Sequence, residues 1–123
     1  MRKQLLMKDY KEYYKLPLRL DEQIGWVWDS KDNFVFQFEI DDKKTQSKII
    51  NVINEQKNYK NKSDEFTYKG SGLIYYKGNP IILMRGWGNL TSPNCLNLSP
   101  EEACYVQDTF AQFIVETLNK AIK

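Results

Sequence analysis

Trp26-Val27-Trp28-Asp29-Ser30-Lys31-Asp32-Asn33-Phe34-Val35-Phe36-Gln37-Phe38-Glu39-Ile40 decides the fold class. Trp26 and Trp28 flank Val27, and Phe34, Phe36, Phe38 and Ile40 alternate strictly with Val35, Gln37 and Glu39. A period of two is what a half-buried strand requires, because successive side chains leave opposite faces. Asp29 to Asn33 carries turn chemistry between the two runs. The stretch therefore predicts a β-hairpin with one aromatic face against a core.

Working upstream, Leu16, Leu18 and Leu20 share a face, with Pro17 and Arg19 on the other. Proline donates no ladder hydrogen bond, so this run predicts an edge strand. Before it, Leu6, Tyr10, Tyr13 and Tyr14 recur at helical spacing, which predicts a short N-terminal helix within residues 4–14. Downstream, Asp41 or Asp42 can cap a helix over 45–57 in which Ile49, Ile50 and Ile53 face the sheet. Residues 57–65 are almost wholly polar and predict a solvated loop. Strands resume with Phe66 and Tyr68, bend at Gly70 and Gly72, and form a second hairpin in which Leu73–Tyr76 and Pro80–Arg85 flank Lys77-Gly78-Asn79.

The last helix is expected over 99–121. Ser99 is its N-cap, Pro100 its first residue, and Glu102 completes a capping box. At 100° per residue, Ala103, Val106, Phe110, Phe113, Ile114, Leu118 and Ala121 fall on the apolar side, and Tyr105, Asp108, Gln112, Glu116 and Asn119 on the other. Residues 1–123 thus read as a single α+β domain. It has an antiparallel sheet of five or six strands with two main helices packed on one face, and no internal repeat is visible in the sequence.

Composition removes much common chemistry. Histidine is absent, which excludes a Ser-His-Asp triad, a Cys-His pair and His-ligated metals. A net charge of +2 is too small for the broad positive field of general DNA binding. No apolar run is long enough to span a membrane, and Met1-Arg2-Lys3 leads into too short an apolar stretch for an export signal, so a cytoplasmic setting is expected. Cys95 and Cys104 lie nine apart, without metal-site spacing; Cys104 reads as a small core residue. No phosphate-loop lysine, dinucleotide fingerprint or paired-carboxylate spacing appears, so no cofactor, metal or catalytic set is expected and a non-enzymatic role is favoured.

Arg85-Gly86-Trp87-Gly88-Asn89-Leu90-Thr91 is the most unusual segment. Two glycines around a tryptophan allow close backbone approach, and an arginine leaving a buried strand can present its fork to a carboxylate or phosphate. The alternative is a bulge closed by Trp87, with Arg85 paired internally. Gln107 points by angle into the apolar side of the last helix and needs a partner, for which this loop is the nearest source; Asp108 beside it is the leading partner for Arg85. Arg85, Trp87, Asn89, Thr91, Gln107 and Asp108 are the candidate ligand-binding residues. Tyr59, Tyr68, Tyr75 and Tyr76 interleave with Lys60, Lys69 and Lys77, a mixture that single-strand binders use for stacking and phosphate contact.

The stretch from Gly70 to Leu118, with Arg85 to Thr91, then Leu96, Leu98, Ala103, Gln107, Asp108, Phe110, Phe113 and Ile114, resembles small uncharacterised proteins found in phages and mobile elements of bacteria. The resemblance covers about 40% of the chain and brings no activity with it. It implies a bacterial cytoplasmic setting and a binding or host-interaction role rather than metabolism. The expectation is a binding protein for a small phosphorylated or nucleotide-like ligand. The alternatives are a protein-interaction module, for host interaction or as a homodimer, and a single-stranded nucleic-acid binder.

Overall fold

Six strands and three α-helices follow one another among the residues that the computed structural model describes, 10–55 and 64–121. They are β1 (Arg19–Asp21), β2 (Trp26–Trp28), β3 (Phe34–Phe38), α1 (Lys43–Glu55), β4 (Phe66–Tyr68), β5 (Leu73–Tyr76), β6 (Asn79–Met84), α2 (Trp87–Thr91) and α3 (Pro100–Ala121). Of the expected N-terminal helix, the described part is a 3₁₀ turn over Tyr10–Glu12, and the remainder lies outside the described residues.

Both main helices start where side chains can satisfy their free N–H groups. Asp42 Oδ1 accepts from the Lys44 and Thr45 amides, and Oδ2 accepts from the Thr45 hydroxyl. These bonds hold the Asp42 carboxyl below the ordinary aspartate range and start α1 two residues earlier than periodicity alone suggests. For α3 the capping box forms in full: Ser99 N–H donates to Glu102 Oε1 at 3.0 Å, and Glu102 N–H donates to Ser99 Oγ at 3.2 Å.

The six strands pair antiparallel throughout, in the order β1-β2-β3-β6-β5-β4. This order is two three-stranded meanders, β1-β2-β3 and β4-β5-β6, each followed by a long helix and joined along β3 and β6. Each meander has an irregularity between its second and third strands, at Val27/Trp28 and at Ile74/Tyr75. The chain thus repeats a βββα unit about a pseudo-twofold axis, which the sequence did not reveal.

One face of the sheet, with Val27, Phe36, Phe38, Ile74, Ile82 and Met84, packs against Ile49, Ile50 and Ile53 of α1 and Val106, Phe110, Ile114 and Leu118 of α3. Burial of each such side chain contributes about 1.5–3 kcal/mol, so this layer contact is the main source of stability. The register shift leaves Val35 as the extra residue between Phe34 and Phe36, since Trp28 pairs with Phe34 while Val27 pairs with Phe36. The expected single aromatic face is therefore split: Phe36 and Phe38 enter the core, and Phe34 turns to the opposite face with Trp26 and Trp28.

Each outer strand is tied to the helix of its own half by an asparagine. Asn54 of α1 takes both backbone groups of Leu18, just before β1: its Oδ1 accepts from the Leu18 amide at 2.6 Å and its Nδ2 donates to the Leu18 carbonyl at 3.0 Å. Asn119 of α3 does the same for Phe66 of β4, at 2.9 Å in both directions. Asn119 is buried, although its angular position places it on the polar side of α3. Asn119→Ala would leave two backbone groups without their partner, and urea unfolding should show a loss of about 2 kcal/mol.

Candidate functional site

The sheet face opposite the helices is left open by the described elements. Across it the register aligns Asp21, Trp26, Gln37, Leu83 and Leu73, one from each of five strands. Trp26 stacks on Phe34 with ring centroids 4.7 Å apart, and Trp28 lies 5.5 Å from Phe34 and 6.0 Å from Trp26. Trp26 remains 37% exposed, which leaves ring surface for a further flat group.

Arg85 follows β6 directly and stands on this cluster. Its guanidinium carbon is 6.0 Å from the Phe34 ring centroid, and one N–H donates to Gln37 Oε1 at 2.9 Å. Gln37 is itself held by Glu39, to which its amide donates at 2.9 Å. Among the described residues Arg85 has no carboxylate partner, so most of its donor fork is available. Arg19 lies 5.3 Å from the Trp28 ring centroid and pairs with Asp32 at 2.6 Å.

A buried carboxylate fixes the turn beneath the cluster. Asp29 is fully buried; Oδ1 accepts from the Lys31 and Asn33 amides, and Oδ2 from the Lys15 amide and the Asn33 side chain. Asn33 also donates to the Tyr13 carbonyl, and its Oδ1 accepts from Asn89 of α2. This network ties residues 13–15, the β2–β3 turn and α2 together, and so places Phe34 beside Arg85.

The structure brings together only part of the expected site. Residues 87–91 form a short helix rather than a loop. Trp87 is 40% exposed at its start, Asn89 is spent on Asn33, and the Thr91 hydroxyl donates to the Trp87 carbonyl. Asp108 does not pair with Arg85: it accepts the Tyr68 hydroxyl proton at 2.5 Å. Gln107 lies beside Tyr68 and Gly72, and no hydrogen bond joins it to the Arg85–Thr91 segment among the described residues. Burial, followed by the Asp108 contact, raises the Tyr68 pKa well above the usual tyrosine value.

The tyrosine–lysine surface divides too. Tyr68 and Tyr76 lie against the core, Tyr75 is on the open face with Lys69 over its ring, and Tyr59 and Lys60 fall outside the described residues. Cys104, expected inside, is exposed. The residues missed by sequence reading are Trp26, Trp28, Phe34, Gln37 and Arg19. The available signal was the shared parity of the two tryptophans around a small β-branched Val27, which fits a buried valine between two outward rings.

No family model, curated protein or solved structure matches the chain. Function is therefore argued from the site's chemistry. Among the described residues no helix is long and apolar enough to cross a membrane.

Proposed function

We propose that the chain is a binding protein whose open sheet face takes a nucleotide-like ligand, a flat ring carrying an anionic group, at Trp26, Phe34 and Arg85. The observation that carries this reading is Arg85: an arginine without a carboxylate partner among the described residues, set on a stacked aromatic pair and oriented by a neutral amide. The aromatic rings supply a stacking surface, and the guanidinium fork fits a phosphate in two-point contact. Strand addition by a protein partner is disfavoured, because Asn54 and Asn119 occupy backbone groups of the two outer segments.

Titration of tryptophan fluorescence with adenosine monophosphate tests the reading. Quenching is expected in the native protein and in Trp87→Phe, which leaves Trp26 and Trp28 as reporters. Arg85→Ala should keep the far-ultraviolet dichroism of the native fold and weaken binding tenfold or more, about the effect of losing a charge-assisted contact. Equal binding by a folded Arg85→Ala variant would overturn the assignment.

A further inference from the structure

We propose that the open face binds single-stranded nucleic acid across two stacking stations, one in each half of the sheet; this rests on the nucleotide-binding reading and extends it from one station to two. In the first half, Arg19 of β1 lies over Trp28 of β2 at 5.3 Å, and Trp28 adjoins Phe34. In the second, Lys69, the residue after β4, lies over Tyr75 of β5 at 5.9 Å. The pseudo-twofold relation of the halves carries Trp28 onto Tyr75, so the two rings occupy equivalent places, each with a cation over it: Arg19 from directly across the strand pair and Lys69 from two residues beyond Thr67, the residue that faces Tyr75. Tyr75 pairs with Thr67, whereas the neighbouring Tyr68–Ile74 pair faces the core, which puts the Tyr75 ring on the open face.

The separation of the stations selects a polymer. β2 and β5 are three strand steps apart, about 14 Å across the sheet at about 4.8 Å per step, and the register sets Trp28 level with Phe34 but Tyr75 level with Ile40, about 20 Å farther along, so the stations lie about 25 Å from one another. One nucleotide cannot reach both. A single strand of about eight nucleotides at the 3.4 Å stacked rise does, and fewer are needed when the strand is extended. Arg85, Leu83 and Gln37 lie between the stations, so a strand that spans them passes the unpaired guanidinium. The occupant is a single strand rather than a duplex because flat rings read exposed base faces, which a duplex buries in its own stack. Cations stand against the rings while Asp32 and Glu39 are held by Arg19 and Gln37, which matches the alternation of bases and phosphates along a strand.

Amide chemical-shift titration of the full chain distinguishes the possibilities, with thymidine monophosphate and an eight-nucleotide oligothymidylate as probes. The octanucleotide is expected to bind at least tenfold more tightly and to shift signals in both β2–β3 and β5. Tyr75→Ala should reduce octanucleotide affinity about tenfold and leave the mononucleotide unchanged, with Lys69→Ala moving in the same direction; loss of one base stack has an effect of this size. With two phosphates neutralised, the plot of log K against log salt should fall with a slope near −1.4. Equal affinity for the two probes, still dependent on Arg85, would overturn the second station and leave the nucleotide site standing. Absence of binding by either probe would remove both readings. Concentration-dependent shifts of the same face without any probe would instead assign it to a second copy of the chain.

Discussion

Replacing Asp29 with alanine is expected to lower unfolding free energy by about 3–5 kcal/mol, the largest loss anticipated for a polar position in this chain. The carboxylate is fully buried and takes hydrogen bonds from three backbone amides and one side-chain amide. Each amide left dry costs about 1–3 kcal/mol, and partial entry of water keeps the total below the simple sum. Asp29→Asn preserves the volume but sets an NH₂ group against amide donors, so about half of the loss should remain. At this chain length 1 kcal/mol corresponds to about 3–5 °C in Tm, and the alanine variant should melt at least 10 °C below the native protein. A Tm within 3 °C of native would show that the turn does not depend on this carboxylate. The proposed nucleotide binding should weaken in the folded variant too, since the same turn sets Phe34 against Arg85.

Gly86→Ala should be the most damaging single-methyl addition among the described glycines. A Cβ there would lie 1.9 Å from the Tyr14 hydroxyl oxygen and 3.4 Å from the Phe34 carbonyl. Tyr14 is 4% exposed and packs on Phe110 with ring centroids 5.1 Å apart, so its ring cannot swing clear without disturbing the core. The same burial, reinforced by nearby Asp29, pushes its pKa well above the usual tyrosine value. Overpacking of this kind costs about 2–3 kcal/mol. The double variant isolates the cause: in Tyr14→Phe the nearest atom becomes the ring carbon at 3.2 Å, and adding the methyl group should then cost about 1 kcal/mol or less. Identical costs in the two backgrounds would show that the hydroxyl contact is not responsible. Urea midpoints at constant m-value supply the comparison.

Local spacing made most of the architecture legible. The strand at Phe34–Phe38, the turn at Lys77 and Gly78, and the Ser99–Glu102 box each depend on residues within a few positions of one another, and each formed where expected, although the strand's single aromatic face did not. What failed depends on partners distant in sequence. The extra residue at Val35 arises from how β3 pairs with β2, so strict alternation could not show that Phe34 leaves the core. Asn119 is polar by helical angle, yet it lies close enough to β4 to bond Phe66, 53 residues away. Gln107 was recognised as needing a partner, but the parity of β4 sets Tyr68 beside it. At the candidate site, Arg85 was legible as an unusual residue leaving a strand. Its setting was not, because Gln37 lies 48 residues earlier and Phe34 reaches it only through the bulge.

The repeated βββα unit makes the order of the two halves along the chain topologically interchangeable. Both asparagine ties and both hairpin irregularities are internal to a half, and the sheet is closed between halves by the β3–β6 ladder, Phe36 with Met84, Gln37 with Leu83 and Phe38 with Ile82. That ladder is formed equally well whichever half is translated first. A circular permutant opened between Glu55 and Asp64, with a linker from the end of α3 to the start of β1, would retain every strand pair of the native sheet. The same geometry describes a chain built like a dimer of half-domains, with its interface enclosed in one polypeptide.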